Sequence, residues 1–313
     1  MKVSLIATVL NADEHVGAFL DSIAAQSRAP DEVVIVDGGS SDGTLALLHA
    51  AEGITVVEAP GANIARGRNV AIANASHEAI AVADADCAYG PGWLAALVAP
   101  LEAGADVAMG VTEPVVETLL DACVASLSAQ LDPAAIDAAT FMPSARSVAF
   151  RREAIDAVGG YPEWLPIGED MWVDHRWRER SFDTRLAPDA VAGWRPRRTL
   201  TQIWTQYMRY ARGDGQAGMH VERHLLRAGV YAGLVAALGS RRTWPKLIAL
   251  GAGIAYAREP VRRARRRAPD RALAATLLTP LLLAFTDVAK LCGYALGVAD
   301  RLTGRVRPPQ AYS

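Results

Sequence analysis

Short apolar runs typical of β-strands alternate with segments of helical period over residues 3–86. The strand-like runs are VSLIATVL, EVVIVD, ITVVEA and EAIAVAD, and helical segments lie at Glu14–Gln26 and Thr44–Ala51. A chain that alternates in this way folds into a largely parallel sheet covered by helices. The sequence therefore predicts an α/β fold whose ligands bind beyond the carboxyl ends of the strands.

The next hundred residues are less regular. We expect helices at Trp93–Leu101 and Glu117–Leu131, a strand at DVAMGV, and a strand in SVAFRREAIDAVGGY that passes into a helix ending at Gly159 and Gly160. After Thr199 arginine and small apolar residues dominate. We therefore predict two domains, an α/β domain over residues 1–200 and a helical region over residues 201–313.

The net charge of -2 conceals a strong asymmetry. Residues 1–200 hold 14 Lys and Arg against 28 Asp and Glu, whereas residues 201–313 hold 18 against 6. A basic segment of this kind indicates an anionic partner.

The three cysteines have no CxxC spacing, which argues against a disulfide framework or a zinc site and favours a reducing compartment. No signal peptide is visible at the N-terminus.

Asp84 and Asp86 occupy alternate positions at the end of the apolar run EAIAVAD. On an extended strand both carboxylates would face one side, roughly 6–7 Å apart. Carboxylates so placed suit a hard divalent cation, Mg2+ or Mn2+, that neutralises a diphosphate. Asp86 would hold the metal, and Asp84 the ribose or a metal-bound water. The alternative is a pair of acids that simply solvate the strand end.

Asp37 follows EVVIV and precedes GGSSDGT, a segment suited to a tight turn. Ser41 or Asp42 can cap the helix that begins near Thr44. We expect Asp37 to contact a nucleoside.

Five segments together resemble family 2 glycosyltransferases of GT-A fold. They are SLIATVLN, VDGGSSDGT, ARGRNVAIANA, VADADC as the DxD-type motif, and GEDMWVDHRWRE. The resemblance implies a Rossmann-like, mostly parallel sheet flanked by helices, and a nucleotide-sugar donor. The donor-binding residues it implies are Thr8, Asn11, Asp37, Arg68 and Asp84. Gly38 replaces an acid and Leu10 an aromatic residue common in the family, so the choice among UDP-, GDP- and dTDP-sugars stays open.

Glu169 and Asp170 are the candidate catalytic acids. Sugar transfer with inversion needs a carboxylate that takes the proton of the acceptor hydroxyl. The resemblance gives the base role to Asp170, with Glu169 beside it, and their mutual repulsion is expected to raise one of the two pKa values. Trp164 is a candidate acceptor contact. The alternative is an acidic first turn of a helix over Met171–Arg180, which the helix dipole favours.

The segment QYMRY resembles the QxxRW motif of membrane-bound synthases in the same family. Gln206 and Arg209 share a helical face and would contact the donor diphosphate, and Tyr210 would stack on an acceptor sugar. The following RGDG, Arg212–Gly215, is expected to form a flexible loop over the donor. An amphipathic helix with solvated arginines is the alternative. We expect His220 and His224 to be exposed rather than metal ligands.

The C-terminal third favours a membrane surface as the anionic partner. Three apolar runs, Ala228–Leu238, Leu247–Ala257 and Ala272–Phe285, are shorter than the ~20 residues that span a bilayer. Seven arginines lie between the last two runs, and each would add about 1 kcal/mol at an anionic leaflet. The seven are Arg258, Arg262, Arg263, Arg265, Arg266, Arg267 and Arg271. Re-entrant or interface-lying helices are expected, because Pro280 would break or kink the last run. A helical hairpin packed on the first domain or on a second copy is the alternative.

Together these features predict an inverting glycosyltransferase of hexosyl type at the cytoplasmic face of the cell membrane. Its acceptor would be lipid-linked or a polysaccharide of the cell envelope, and a homodimer is possible. A nucleotidyltransferase would want a phosphate loop after the first strand, which LNADEH is not. A catalytically inactive membrane-bound scaffold is opposed by the intact acids. Nucleic acid is not an expected partner, since no aromatic residues interleave the arginine cluster.

Overall fold

The computed structural model describes residues 1–128, 136–137 and 140–306. It divides into two compact units. The first comprises Met1–Pro114 and Pro133–Arg195, and the second comprises Val115–Asp132 and Pro196–Ser313. The division differs from a single cut at residue 200, because the chain leaves the sheet after Pro114 and returns to it later.

A mixed eight-stranded sheet forms the centre of the first unit. Its strands, in chain order, are β1 (Val3–Val9), β2 (Glu32–Asp37), β3 (Thr55–Glu58), β4 (Ala79–Asp84), β5 (Cys87–Tyr89), β6 (Val107–Pro114), β7 (Val148–Arg151) and β8 (Thr184–Trp194). The spatial order is β3-β2-β1-β4-β7-β6-β8-β5. Strands β3, β2, β1 and β4 run parallel, and β7 pairs antiparallel with both of its neighbours.

Helices connect and cover these strands. Those of the first unit are α1 (Asp13–Ala24), α2 (Thr44–Ala50), α3 (Ile64–Asn74), α4 (Trp93–Glu102), α6 (Arg152–Ala157) and α7 (Glu169–Glu179). Aliphatic residues of the strands pack with Phe150, Tyr161 and Trp177 in one buried cluster. This core, which burial of apolar surface stabilises, holds the carboxyl ends of the strands in fixed register.

The α/β fold predicted from the sequence is confirmed. Strand β2 has the predicted bounds, and the other early strands differ from prediction by one or two residues. Strands β5 and β8 were not predicted. Strand β8 has three exposed residues, Arg185, Pro188 and Asp189, and no alternation of exposed and buried residues over its first half. It is defined by its parallel pairing with β6, which no local pattern reveals.

The second unit is helical over its described residues. Its helices are α5 (Leu119–Ala125), α8 (Leu200–Ala217), α9 (Val221–Gly239), α10 (Trp244–Arg267) and α11 (Ala272–Leu302). Helix α5 belongs here because Cys123 and Val124 pack against apolar residues of α8, α10 and α11. The predicted helix over Glu117–Leu131 is thus shorter than expected, and its residues 129–131 lie outside the described residues.

Two local predictions for α8 and α11 were wrong. The RGDG segment is helical, because Gly213 and Gly215 are buried in α8 and a Cβ on Gly215 would lie 2.5 Å from the Tyr294 carbonyl oxygen of α11. Helix α11 also continues through Pro280 and Asp287 instead of breaking. Close packing between the two helices therefore overrides the helix-breaking tendency of these residues.

Two buried ionisable side chains of the second unit, Asp287 and His224, have polar partners. Asp287 is fully buried on α11 and accepts hydrogen bonds from Arg227 Nε (2.9 Å) and Tyr256 Oη (2.8 Å). His224, which we expected to be exposed, is buried, lies 2.9 Å from Asp214 Oδ2 and stacks on Tyr294. The ion pairs of Asp287 explain how a carboxylate can lie within an apolar helix.

The arginine cluster does not form one exposed surface. Arg263 is buried and donates to the Ser126 carbonyl oxygen at 3.2 Å, and Arg267, one turn later, donates to Ser126 Oγ at 3.1 Å. The other five arginines of the cluster are exposed. Helix α10 continues through the cluster, so residues four apart turn to the same side and face α5.

One helical segment of the described chain, Pro269–Leu302, has the length and composition of a membrane span. Core helices of water-soluble proteins can share those properties, and this helix carries the buried Asp287.

Candidate functional site

The carboxyl ends of β1, β2 and β4 form the edge at which the predicted donor-binding residues meet. Thr8 pairs in register with Asp84 of β4, and Val9 pairs with Asp37 of β2. Helix α3 lies directly above this edge, since a Cβ on Gly67 would be 2.9 Å from Thr8 Cγ2. The sheet thus brings Thr8, Asp37 and Asp84 together, as the parallel topology predicts.

Asp37 organises the loop that follows it. The side chain is fully buried, and its Oδ1 accepts hydrogen bonds from the backbone N–H groups of Gly39 and Ser40, both at 2.8 Å. Its Oδ2 accepts from Ser40 Oγ at 2.5 Å. Direct contact with a nucleoside would require this loop to change, so that contact stays a prediction.

Asn11 joins the ends of β1 and β2. Its backbone has a positive φ of 50°, a conformation that asparagine tolerates better than most residues. Its Oδ1 accepts from the Ser41 N–H at 2.9 Å, and its own N–H donates to Ser40 Oγ at 2.8 Å. Asn11 is exposed above a loop held in shape by Asp37, which suits a ligand contact.

A continuous chain of ion pairs links Asp84 to Glu169. Arg68 of α3 is 2% exposed; its Nη2 lies 3.1 Å from Asp84 Oδ1, and its Nη1 donates to Glu169 Oε1. The guanidinium also lies over the Tyr161 ring, 5.4 Å from its centroid. Burial alone would lower the pKa of Arg68, but Asp84 and Glu169 raise it, so the guanidinium stays charged. Arg68 therefore positions both carboxylates.

The environment of Glu169 raises the pKa of its side chain. Burial and the neighbouring Asp170 raise the pKa of Glu169 to about 7, against the opposing charge of Arg68. The sequence predicted a raised pKa in this pair without deciding which residue carries it. Glu169 is 5% exposed and holds Arg68. Its position suits a supporting role.

Asp170 is the more accessible of the two acids. It lies in the first turn of α7, where Oδ1 accepts from the N–H of Met171 at 2.8 Å. Its Oδ2 lies 3.4 Å from the Ala145 N–H, a long contact, and the side chain is half-buried. A carboxylate in this position can accept the proton of a bound hydroxyl.

Arg146 is a site residue that sequence reasoning missed. Its Nε lies 3.8 Å from Asp84 Oδ2, and its guanidinium lies over the Trp194 ring, 5.4 Å from the centroid. Tyr89 links the same segment to the DxD region, since its Oη lies 3.2 Å from the carbonyl oxygen of Asp84 and 3.0 Å from that of Arg146. An isolated arginine in a loop carries no local signal, and only the fold brings it to Asp84.

Asp86 does not alternate with Asp84 along a strand as predicted. Strand β4 ends at Asp84, and residues 85–86 form a turn before β5. Asp86 is half-buried, with the Cys87 thiol 3.6 Å from its Oδ1. The described residues contain no cluster of three His, Cys, Asp or Glu around a metal position. Two carboxylates still fit Mg2+ or Mn2+, since such cations commonly take their other ligands from phosphate and water.

Trp164 lies in the loop before α7 and packs edge-on against Trp172, with ring centroids 5.2 Å apart. Its buried indole N–H meets no acceptor within the part of the chain that the structure describes. Arg176 lies over the other ring of this pair, 4.7 Å from the Trp172 centroid. The Trp164 and Trp172 rings, with the Trp164 indole N–H as a hydrogen-bond donor, are therefore close in sequence to Glu169 and Asp170.

Gln206, Arg209 and Tyr210 lie on α8, in the second unit. Gln206 Nε2 donates to Tyr210 Oη at 3.0 Å, so the structure brings these two together. Arg209 and Tyr210 are both exposed. Their contacts with a diphosphate and a sugar stay predictions.

Comparison with known proteins identifies the first part of the chain. Residues 4–136 match the family model described as glycosyl transferase family 2. The chain is 23% identical to the O-antigen chain rhamnosyltransferase RfbN of Salmonella typhimurium over 61% of its length and 65% of that protein. It is 25% identical to the glycosyltransferase AglE of Haloferax volcanii, over 69% of its length and 74% of that protein. The match thus covers just under two thirds of the Salmonella relative.

A solved structure has the same fold. The mannosyltransferase PcManGT of Pyrobaculum calidifontis, in complex with GDP-Man and Mn2+, superposes with a TM-score of 0.53 at 21% identity, covering 97% of this chain and 88% of that one. Residues 4–136 therefore carry the likeness to glycosyl transferase family 2, and the chain has the GT-A fold.

Proposed function

We propose that the protein transfers a sugar, with inversion, from a nucleotide sugar to a hydroxyl group of a lipid-linked or polysaccharide acceptor. One observation carries the proposal: Arg68 joins Asp84, at the donor edge of the sheet, to Glu169, beside the candidate base. One network of ion pairs thereby joins the residue expected to bind the sugar donor, Asp84, to the residue beside the candidate base, Glu169. A chain that kept the fold only as a scaffold would have no need of this buried, charged connection, whose desolvation is costly.

In the proposed reaction a bond forms between the acceptor oxygen and the anomeric carbon, while the bond from that carbon to the phosphate breaks. Asp170 takes the proton of the acceptor hydroxyl, and the electron pair of the broken bond leaves with the nucleoside diphosphate. Arg68 holds Asp84 and Glu169 in place. Asn11 and Thr8 contact the nucleotide, and Arg146 contacts its diphosphate.

The proposed metal site uses Asp86, with Asp84 beside it. A bound Mg2+ or Mn2+ would supply charge neutralisation of the departing diphosphate. The carboxylate oxygens suit a hard cation. The Pyrobaculum protein was solved with GDP-Man and Mn2+, which makes that pair the first to be tried.

The proposed acceptor contacts are Trp164 and Tyr210. The indole N–H of Trp164, which meets no acceptor among the described residues, can donate to a sugar hydroxyl, and the exposed Tyr210 ring offers a stacking surface. The rhamnosyltransferase relative is named for an O-antigen chain, which supports a glycan acceptor of the cell envelope.

We further propose that the second unit holds the enzyme at the cytoplasmic face of a membrane. The 18 basic residues against 6 acidic ones in residues 201–313 support attraction to anionic lipids. The five exposed arginines of the cluster over residues 258–271 are the proposed headgroup contacts.

The test is a panel of UDP-, GDP- and dTDP-sugars incubated with the full chain and Mn2+ or Mg2+. We expect one donor to release its nucleoside diphosphate, with water as the acceptor. The anomeric configuration of the sugar first released, read by NMR before it mutarotates, should be opposite to that of the donor. A product of retained configuration would contradict inversion. Release of nucleoside monophosphate or pyrophosphate would favour a nucleotidyltransferase instead.

A further inference from the structure

The hairpin formed by α9 and α10 has two charge-free arms, residues 228–239 and 247–257. Both arms are almost entirely exposed: Ala237 and Ala257 are the buried residues of the arms, and Tyr231 and Ala249 are half-buried. Helices that are apolar on every side are normally found inside a protein core or in lipid. Their exposure here calls for an apolar environment.

Each arm has a face of large aliphatic side chains. Val230, Leu234 and Leu238 follow one another at i, i+4 and i+8 on α9, and Leu247, Leu250 and Ile254 at i, i+3 and i+7 on α10. These spacings place each set on one side of its helix. All six side chains are exposed, with Leu250 61% and Ile254 64% accessible. Alanine and glycine occupy much of the remaining surface.

The base of the hairpin is fixed to α11 by polar contacts. Arg227 and Tyr231 of α9 and Tyr256 of α10 all donate to the buried Asp287 carboxylate, at 2.9, 3.3 and 2.8 Å. The hairpin is therefore tied to the helical unit by its polar residues and leaves its apolar side chains exposed.

Basic residues lie at the tip and beyond the end of the arms. Arg241, Arg242 and Lys246 are exposed at the tip, and Arg258 follows the second arm. Lysine and arginine at such positions reach phosphate headgroups while their apolar stems stay in the interface. The charge pattern is complementary to an anionic lipid surface.

We infer that the α9–α10 hairpin lies in the interface of an anionic lipid bilayer, with its large aliphatic faces in the acyl chains and its basic tip among the headgroups. The inference rests on the proposed membrane location and names the element responsible for it. Arms of 12 and 11 charge-free residues are about 18 and 17 Å long, too short for the ~30 Å hydrocarbon core. An interfacial helix needs to bury its apolar face only ~5–10 Å.

Flotation of the full chain with lipid vesicles tests this inference. Vesicles of phosphatidylcholine with phosphatidylglycerol are compared with phosphatidylcholine alone, using wild type, Leu250→Gln/Ile254→Gln, and the matched control Leu47→Gln, an exposed leucine of the first unit. We expect the double variant to bind the anionic vesicles at least tenfold more weakly, and the control to bind like wild type. Circular dichroism verifies that each variant is folded.

Trp244, which is 56% exposed at the start of α10, provides a second readout. Lipids brominated in the acyl chain should quench its fluorescence, measured as the difference between wild type and Trp244→Phe. Unchanged binding of the double variant, with no quenching, would overturn the inference but leave charge-driven membrane attachment intact. Absence of vesicle binding by wild type would overturn both. A lipid-free dimer that the double variant dissociates would show that a second copy covers this face.

Discussion

Asp170 is the residue on which the proposed chemistry depends. It is ionisable, half-buried and close to the aromatic Trp164 in sequence, whereas Glu169 is buried against Arg68. We expect Asp170→Asn to lower kcat by about 10²–10⁴-fold, because general base catalysis typically contributes that factor. Binding of nucleoside diphosphate, measured by calorimetry, should be unchanged. The exposed Asp156→Asn serves as the control, and an equal loss of kcat there would contradict the assignment.

The pH dependence of the reaction should report Glu169. Its pKa is raised to about 7, so protonation below that pH removes the ion pair with Arg68. We therefore expect kcat/KM to rise as pH increases through about 7, and this inflection to be absent in Glu169→Gln. A variant that keeps the inflection would assign it to another group.

The same titration has a predicted effect on stability. The folded pKa lies above the ordinary value of 4.5, so between these two values the native state binds more protons than the unfolded chain. The contribution of Glu169 to the free energy of unfolding should accordingly fall as pH rises from about 4.5 to about 7. Urea denaturation of wild type and Glu169→Gln across this window measures the difference.

Arg146 is expected to bind the donor diphosphate. Its position beside Asp84 and over Trp194 holds a charged, planar group at the donor edge. Arg146→Gln should raise the KM for the donor about tenfold, the usual cost of losing a hydrogen bond to a charged group. Arg146→Lys should recover part of it, since charge is kept but the planar stacking is lost. The exposed Arg185→Gln is the control, and an unchanged donor KM in Arg146→Gln would contradict this role.

The clustering of Thr8, Asp37 and Asp84 could be predicted, because all three lie at the ends of strand-like runs in the sequence. Asp37 and Asp84 are adjacent to apolar runs, and parallel pairing brings those run ends together. The buried bridging position of Arg68 could not be predicted, since it depends on where α3 crosses the sheet. Arg146 and Trp194 could not be found for the same reason.

At the scale of elements, the pair α8 and α11 depends on glycine. A Cβ on Gly297 would lie 2.1 Å from the backbone oxygen of Arg212, which cannot move without distorting α8. We expect Gly297→Ala to destabilise the protein by about 1–3 kcal/mol, as overpacking does. The control is Gly233→Ala on α9, where nothing lies within 4 Å. That change should be neutral or slightly stabilising in thermal or urea unfolding.

The sequence patterns predict elements well where periodicity is strong and local. Strands β1, β2 and β4 are continuous apolar runs, and their identity is plain from the residues alone. The RGDG segment is a helix only because its glycines face α11, and β8 is a strand only because β6 lies beside it. In both segments tertiary contacts determine the secondary structure, and the residue pattern of a single segment carries no information about those contacts.

At the level of the whole molecule, the α/β unit is acidic and the helical unit is basic. This asymmetry was visible in the sequence, but the boundary was not, because α5 joins the helical unit from within the first half of the chain. The distribution of arginines was equally hidden, since Arg263 and Arg267 turn inward toward Ser126. Charge counts describe a segment, whereas the fold decides which charges meet solvent.

The roles of the two aspartates are decided by nucleoside diphosphate release from wild type, Asp86→Ala and Asp170→Asn, measured with Mn2+ and with chelator. We expect metal-dependent release by wild type from one donor class and loss of release in both variants. Asp170→Asn alone should still bind the nucleotide with metal. Release that survives both substitutions, or that is equal with chelator, would contradict the proposed roles of the two aspartates.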